Sequence, residues 1–184
     1  MQLKDAIEKR HSVKKFTNKK PDWRDIIECL DTARYTPMAG NNFTLKFILV
    51  DNANSIQKLS EAAQQPFISD TQYVVVICSN PKRTISLYKE RGKIYSRQQA
   101  GAAIQNILLA ITEKKLATCW IGHFIESQIK RELKIPNEIN IEAMLPIGYE
   151  FGKTRRREKI DLNGILYFKN WGNKRMKPIT TLEV

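Results

Sequence analysis

Two cations and a hydroxyl alternate near the start of the chain, in Arg10-His11-Ser12-Val13-Lys14. In extended backbone, alternate side chains face the same way, so Arg10, Ser12 and Lys14 are expected to point together. Such a row can hold a phosphate group or an anionic ring. A solvated basic turn is the commoner meaning of a basic run, and the spacing alone does not decide between the two.

The positive charge of the chain is concentrated at its two ends. The sequence holds 31 Lys and Arg against 19 Asp and Glu, a formal net charge of +12. Residues 1–24 carry eight basic and three acidic side chains, residues 153–184 carry nine and three, and the middle is nearly neutral. A basic protein can bind nucleic acid or a membrane surface, but neither requires the charge to lie at the termini. If the ends meet in the fold, they can bracket one anionic ligand.

Two further stretches can present backbone groups to a ligand. The loop Pro37-Met38-Ala39-Gly40-Asn41-Asn42 is rich in turn-favouring residues. Pro146-Ile147-Gly148-Tyr149 follows a predicted strand, where exposed backbone N–H groups can meet a cofactor. Each stretch can equally be no more than a turn or a strand end.

Length and composition indicate one domain spanning residues 1–184, large enough to bury a core without disulfides. Cys29, Cys78 and Cys119 lie far apart in apolar surroundings, as expected for small core residues of a reducing compartment. His11 and His123 have no partner at metal-ligand spacing, so no metal site is expected. The polar, amphipathic start is unlike a signal peptide or membrane anchor. A cytoplasmic protein is therefore the expectation.

The elements that must position these residues are arranged around one apolar stretch. Between Ala100 and Ile111 only Gln105 and Asn106 are polar, which predicts a helix buried on all sides. We expect its own domain to cover one side and a second subunit to cover the other; an ordinary core helix is the alternative. Strands are predicted at 43–50, 73–78, 118–121 and 139–145, and helices near 3–10, 22–36, 55–63, 82–97 and 125–135. Asp22 is the expected cap of the second helix, and Asn54 or Ser55 that of the third. Without regular strand–helix alternation, this order favours an α+β fold.

Six motifs taken together resemble the nitroreductase family of FMN-dependent oxidoreductases, from about Leu3 to Trp171. They are Arg10 to Lys14, Pro37 to Asn41, Gly101 to Ala110, Ala117 to Phe124, Pro146 to Tyr149 and the cluster at Arg155 to Arg157. Each motif alone is weak, but all six occur in the family's order. The resemblance implies a central mixed, mostly antiparallel sheet flanked by helices, with the C-terminal tail reaching over a partner subunit.

The resemblance also implies roles for individual residues. It assigns Arg10, His11, Ser12 and Lys14 to FMN, with Arg10 and Ser12 towards the phosphate and Lys14 near the N1/O2 edge of the ring. Arg155 and Arg157 would form a second phosphate clamp, with Arg156 as the alternative. The remaining assignments are Pro37, Met38, Ala39 and Asn41 lining the flavin from the other subunit, Ile147 and Gly148 near flavin N5, and Trp120, Ile121 and Gly122 behind the ring.

The implied protein is a homodimer with FMN at its interface, which passes hydride from NAD(P)H through flavin N5 to a nitro compound, quinone or similar small acceptor. The cofactor would carry the chemistry, so no catalytic side chain is required beyond electrostatic help from Lys14. No nucleic-acid or membrane partner is implied. The alternative within the family is other chemistry: reductive dehalogenation, flavin fragmentation or a ferredoxin-type electron donor. A basic nucleic-acid-binding module is the alternative outside the family.

Two departures from the family pattern bear on the site. The family commonly continues past Asn41 with x-Gln-Pro-Trp, whereas this chain has Asn42, Phe43, Thr44 and Leu45. Just before the Ala-Gly-Ala run, an acidic residue is common and Gln99 stands here. The first departure affects the hydrogen bonds expected at the flavin edge, and both affect the choice of acceptor.

Overall fold

A computed structural model describes residues 1–154 and 158–176. The chain divides into two compact units, Met1–Thr154 and Arg155–Val184. Among the described residues, the first unit contains six α-helices and four strands. The helices are α1 (Leu3–Lys9), α2 (Trp23–Asp31), α3 (Ala53–Ala63), α4 (Lys82–Tyr88), α5 (Glu90–Glu113) and α6 (Glu126–Leu133), and the strands are β1 (Leu45–Val50), β2 (Tyr73–Ser79), β3 (Ala117–Thr118) and β4 (Asn140–Gly148).

The four strands form one sheet in the order β1-β2-β4-β3. All three strand pairings are antiparallel, so the described residues show none of the parallel pairing expected of a mixed sheet. β2 is buried along its whole length because helices cover both faces of the sheet. α2 and α5 pack on one face, and α3 and α6 pack on the other. The predicted α+β class is confirmed.

The central helix α5 is fully buried on one side only within a single chain. Ala103, Ile104 and Ile107 are buried against the sheet and α2. Gly101 and Leu109 remain partly exposed on the opposite side. Within one chain the other elements of this unit leave that side partly open, so its burial by a second subunit stays a prediction.

Two helices of this unit, α2 and α3, begin at a side-chain cap, and the cap of α3 differs from the sequence prediction. Asp22 caps α2 as predicted, accepting a hydrogen bond from the backbone N–H of Arg24 at 2.9 Å. α3 begins earlier than predicted, because Asn52 rather than Asn54 or Ser55 accepts the bond from Ser55 N, at 3.0 Å. In both helices a side-chain oxygen satisfies a backbone N–H that has no partner within the helix.

The second unit contains α7 (Leu162–Ile165), capped by Asp161. The Tyr167 and Trp171 rings lie 4.9 Å apart, and Lys174 Nζ stands 4.3 Å from the centre of the Tyr167 ring. Trp171 is 91% exposed. Within the described ranges, no helix has the length and apolar character needed to cross a membrane.

Candidate functional site

The basic segment that follows α1 lies across one end of the sheet. Val13 donates its backbone N–H to Thr118 O at 3.0 Å, which joins the segment to β3. Two residues that follow β4 complete the pairing: Thr17 N donates to Tyr149 O at 2.8 Å, and Phe151 N donates to Lys15 O at 2.9 Å. The segment is therefore held by backbone hydrogen bonds, which leave its side chains free for other contacts.

The predicted alternation of side chains holds through the middle of this segment. Val13 is buried, whereas its neighbours Ser12 and Lys14 are exposed. Burial raises the pKa of the Cys119 thiol, while a hydrogen bond with Ser12 and the charge of Lys14 act in the opposite direction. Ser12 and Lys14 thus lie on the same side, close to Cys119. In the described part of the chain, neither Arg10 nor Lys14 forms an ion pair.

Unlike Arg10 and Lys14, His11 contacts a carboxylate among the described residues. Its Nε2 lies 3.1 Å from Glu150 Oε1, and its Nδ1 lies 2.8 Å from the carbonyl oxygen of Lys9. Glu150 also accepts a hydrogen bond from Thr154 N at 2.9 Å. Burial opposes the charge on Glu150, but the bonds from Thr154 and His11 outweigh it and hold the pKa of Glu150 below its ordinary value. The ring of His11 thus ties the segment to the residues after β4.

The end of β4 and the residues after β3 lie at this same end of the sheet. Ala117 pairs with Gly148 and Thr118 pairs with Ile147. Further along, Ile121 and Met144 exchange two backbone hydrogen bonds, at 2.9 and 3.0 Å, so residues 120–122 run beside β4. Arg10 to Lys14 and Ile147 to Gly148 therefore meet on either side of β3, and Trp120 to Gly122 continue from β3 along β4 towards Met144. Ile147 and Gly148 are buried within β4, not exposed after it as predicted.

Position 148 requires a glycine, because a side chain there would overlap the ring of Phe16. A Cβ built on Gly148 would lie 2.9 Å from Phe16 Cδ1, closer than ordinary van der Waals contact. Phe16 is buried and packs beside Val13 and Ala117. The tight packing of Phe16 on Gly148 fixes the distance between the basic segment and β4.

The loop before β1 lies at the opposite end of the sheet. β1 begins at Leu45 beside Ser79, whereas Tyr73 pairs with Ile147. The six residue steps from Tyr73 to Ser79 correspond to about 20 Å of strand. One chain therefore does not bring Pro37, Met38, Ala39 and Asn41 to the basic segment. The sequence prediction already assigned this loop to the partner's flavin.

This loop is joined to α4 and α5 by a buried polar cluster that the sequence prediction missed. Gln99 accepts hydrogen bonds from Thr44 N at 2.8 Å and from Thr44 Oγ1 at 2.6 Å, and donates to Asn42 O at 3.1 Å. Asn42 Nδ2 donates to Thr84 Oγ1 at 2.7 Å. In the sequence, Gln99 stood out only as a departure from a family pattern. The remaining signal was the spacing of Ser96 and Gln99, which are three positions apart and therefore share one face of the helix.

Arg155, Arg156 and Arg157 lie outside the described residues, so the second phosphate clamp stays a prediction. The remaining residues fit an anionic cofactor such as FMN. Ser12 and Lys14 offer an exposed hydroxyl and an exposed cation. Thr118 Oγ1, at the same end of the sheet, is buried and has no hydrogen-bond partner among the described residues. A bound polar group could satisfy such an oxygen, which is costly to leave unpaired.

The cysteines are unsuited to nucleophilic chemistry. All three are buried and free. Burial raises the pKa of Cys29 to about 12 and that of Cys78 to about 11. Because the thiolate is the reactive form, these thiols are inert near neutral pH. Cys29 and Cys78 are therefore not candidates for a thiolate nucleophile.

Comparison with known proteins covers most of the chain. The sequence model of the Nitroreductase family matches residues 7–73 and 60–149. An iodotyrosine deiodinase from Thermotoga neapolitana is 24% identical over 163 residues, covering 80% of this chain and 88% of the relative. A protein of Methanothermobacter thermautotrophicus, provisionally named NADH dehydrogenase/NAD(P)H nitroreductase, is 27% identical over 178 residues, covering 93% and 88%.

Solved structures share the fold. The crystal structure of a nitroreductase family protein from Clostridium novyi is 27% identical and superposes with a TM-score of 0.75, covering 96% of this chain and 98% of that one. An FMN-dependent nitroreductase from Clostridium difficile is 22% identical, with a TM-score of 0.77 over 90% and 98% of the two chains.

Proposed function

Since this chain belongs to the nitroreductase family, we propose that it is an FMN-dependent oxidoreductase that takes hydride from NAD(P)H and passes it to a nitro compound, quinone or similar small acceptor. The observation that carries the proposal is the meeting of the basic segment with the ends of β3 and β4. The relatives named for NAD(P)H nitroreductase activity support the same reaction class.

FMN, when bound, supplies hydride transfer at its N5 atom by a ping-pong sequence of two half-reactions. Arg10 and Ser12 would hold the phosphate, and the strand end at Ile147 and Gly148 would border the ring near N5. With FMN bound, Lys14 would supply a fixed cation near the N1/O2 edge of the ring, where reduction adds negative charge. Lys14 Nζ stands 5.5 Å from the centre of the Phe67 ring, which limits where the ammonium group can lie.

The proposed active form is a homodimer in the cytoplasm, with one FMN in each of two equivalent interface sites. The partly exposed side of α5 supports this assembly, since Leu109 and Ala110 border an open cleft of about 340 Å³ together with Leu3 and Ala6 of α1. Leu3 and Ile7 are 68% and 52% exposed in the single chain. In the dimer, the loop at 37–41 reaches the flavin of the partner, and the C-terminal tail extends over the partner subunit. Sedimentation equilibrium tests the dimer, and a monomer at micromolar concentration contradicts it.

A second reaction, reductive dehalogenation of a halogenated phenol, is favoured by one observation. Two relatives are named as enzymes of this kind, the iodotyrosine deiodinase of Thermotoga neapolitana and an iodotyrosine dehalogenase homolog of Caenorhabditis elegans. Both reactions begin from reduced FMN in the same site. The two reactions differ in the acceptor. They also differ in the electron donor if neither NADH nor NADPH reduces the bound FMN.

Anaerobic titration of the FMN-loaded protein tests both reactions. NADH and NADPH are added separately, and loss of flavin absorbance near 450 nm is expected with at least one of them. The reduced protein is then mixed with a quinone, a nitroaromatic compound and an iodophenol. A protein that cannot be loaded with FMN contradicts the proposal. Reduction by dithionite but by neither nucleotide, followed by iodide release from the iodophenol, favours the second reaction.

A further inference from the structure

Five of the buried polar side chains form one cluster between the loop before β1 and the hairpin of α4 and α5. Each is less than a tenth exposed. Besides the bonds of Gln99 and Asn42, Thr44 Oγ1 lies 3.2 Å from Ser96 Oγ. The members are Asn42, Thr44, Thr84, Ser96 and Gln99. Since burying polar groups is costly without partners, a cluster this complete strongly favours one arrangement of the loop.

Gln99 is the centre of the cluster because it both donates and accepts. Its Oε1 faces a backbone N–H and a hydroxyl of Thr44, and its Nε2 faces the carbonyl oxygen of Asn42. The backbone partners fix the orientation of the amide, since Thr44 N can only donate and Asn42 O can only accept. An ionised glutamate at this position could accept both bonds from Thr44 but could not donate to Asn42 O.

The cluster holds a loop whose backbone is itself constrained. Gly40 and Asn41 both have positive φ angles, +59° and +50°. A Cβ on Gly40 would lie 2.9 Å from Tyr88 Oη, so α4 also packs closely on the turn. Asn41 is exposed, whereas Asn42 is buried and turned towards Thr84. The cluster therefore determines which of the two asparagines faces outward.

We propose that Gln99 is a positioning residue for the cofactor site of the partner subunit. It holds residues 37–41 in the conformation that lines the flavin bound to the partner's basic segment. This inference rests on the proposed function and deepens it, because it assigns Gln99 of one subunit a role in the flavin site formed by the basic segment of the other subunit. Asn42 and Thr44 take part through the cluster, in which their side chains are buried and hydrogen-bonded.

The first test compares Gln99→Glu with Gln98→Glu, the same change at an exposed neighbour. An acidic residue is common at this place in the family, but in this chain Gln99→Glu removes the donor to Asn42 O. Hydrogen exchange of residues 38–44 is therefore expected to accelerate in the flavin-free protein. FMN affinity, measured by flavin fluorescence, is expected to fall about tenfold or more, the effect of losing one to two hydrogen bonds. Gln98→Glu is expected to change neither measurement. Thr44→Val, which keeps the backbone bond, is the milder variant if Gln99→Glu does not fold, and a loss of about threefold is expected.

The second test determines whether Gln99 affects the FMN site of its own subunit or that of the partner subunit. Hybrid dimers are formed from Gln99→Glu subunits and Arg10→Ala/Lys14→Ala subunits carrying different tags. If Gln99 acts on the partner's site, one site of the hybrid carries both defects and the other carries none. Half of the sites then bind FMN with wild-type affinity. If Gln99 acts on its own subunit's site, every site carries one defect and none recovers.

The outcomes separate this inference from the proposed function. If wild-type protein binds FMN and Gln99→Glu or Thr44→Val binds it equally well, the positioning role is overturned while the proposed function stands. Faster hydrogen exchange of residues 38–44 without a loss of FMN affinity also overturns the positioning role, because the cluster would then be purely structural. A hybrid without a wild-type site overturns action on the partner. Absence of FMN binding by the wild-type protein overturns the proposed function and the positioning role together.

Discussion

The basic segment and the loop before β1 use polar side chains in opposite ways. In the basic segment the backbone makes the structural hydrogen bonds, and Ser12 and Lys14 remain exposed. In the loop the side chains of Asn42 and Thr44 are buried in contacts with α4 and α5. The first region therefore offers charge to a ligand, whereas the second offers a fixed shape.

The difference shows why a polar residue cannot be assigned to a ligand by its type alone. Thr44 and Ser12 are both hydroxyl residues beside candidate cofactor motifs, but only Ser12 is exposed. A buried hydroxyl that is bonded within the protein, such as that of Thr44, cannot contact a ligand, so its removal is expected to act through stability. Removal of an exposed cation acts mainly through binding. Each of the following predictions tests this division.

The largest effect is expected for Arg10→Ala/Lys14→Ala. Loss of two charge-assisted contacts is expected to weaken FMN binding about a hundredfold or more, with little change in the melting temperature of the flavin-free protein. Isothermal titration with FMN measures the affinity. Lys15→Ala is the matched control, because Lys15 is an exposed neighbour that contacts Phe151 through its backbone. Equal losses in both variants would show a general charge effect and remove the distinction between the two regions.

Gly148→Ala tests whether packing sets the geometry of the basic segment. The added methyl group would overlap Phe16, so the free energy of unfolding is expected to fall by about 2 kcal/mol. Chemical denaturation measures the change. In the Phe16→Leu background, the cost of Gly148→Ala is expected to shrink, since the smaller side chain leaves room. An unchanged cost in that background would show that the contact between Gly148 and Phe16 is not the cause.

Gly40→Ala tests the fixed shape of the loop. A left-handed φ angle costs a residue with a Cβ about 1–2 kcal/mol, and the contact with Tyr88 Oη adds to it. Thermal unfolding is expected to show the loss. Adding Tyr88→Phe to Gly40→Ala is expected to recover the stability lost through the hydroxyl contact. The stability lost through the left-handed backbone of residue 40 is not expected to return. A stable Gly40→Ala variant would mean that the loop can adopt another conformation, contrary to the shape-holding role.

The smallest effect concerns Glu150, whose carboxylate contacts both His11 of the basic segment and the backbone N–H of Thr154. Because its pKa lies below the ordinary value, the ionised carboxylate stabilises the fold above the ordinary carboxyl pKa, and this contribution is lost as the pH falls through the lowered pKa. Glu150→Gln is therefore expected to cost at most about 1 kcal/mol at pH 7 and nothing once the carboxyl is protonated. Urea unfolding from pH 7 to pH 3 measures the difference. A cost that persists at pH 3 would contradict an ionic origin.

Much of the fold was predictable because local patterns were strong. The continuous apolar run at 73–78 predicted the buried central strand, and Asp22 predicted the start of α2. The start of α3 was harder to predict, because Asn52, Asn54 and Ser55 are all suitable cap residues. The structure uses Asn52, and that choice depends on where the chain leaves β1. For the site, alternation correctly placed Ser12 and Lys14 on one side, because strand geometry is local.

The sequence by itself determined the family, the α+β class and the identity of the motifs, because these depend on residue order and short-range periodicity. Only the tertiary structure decided that Thr118 and Gly148 meet beside the basic segment, that the loop at 37–41 lies at the other end of the sheet, and that Gln99 is bonded to Thr44. Those contacts join residues 30 to 135 positions apart. Strand register and helix packing fix them, and no local pattern carries that information.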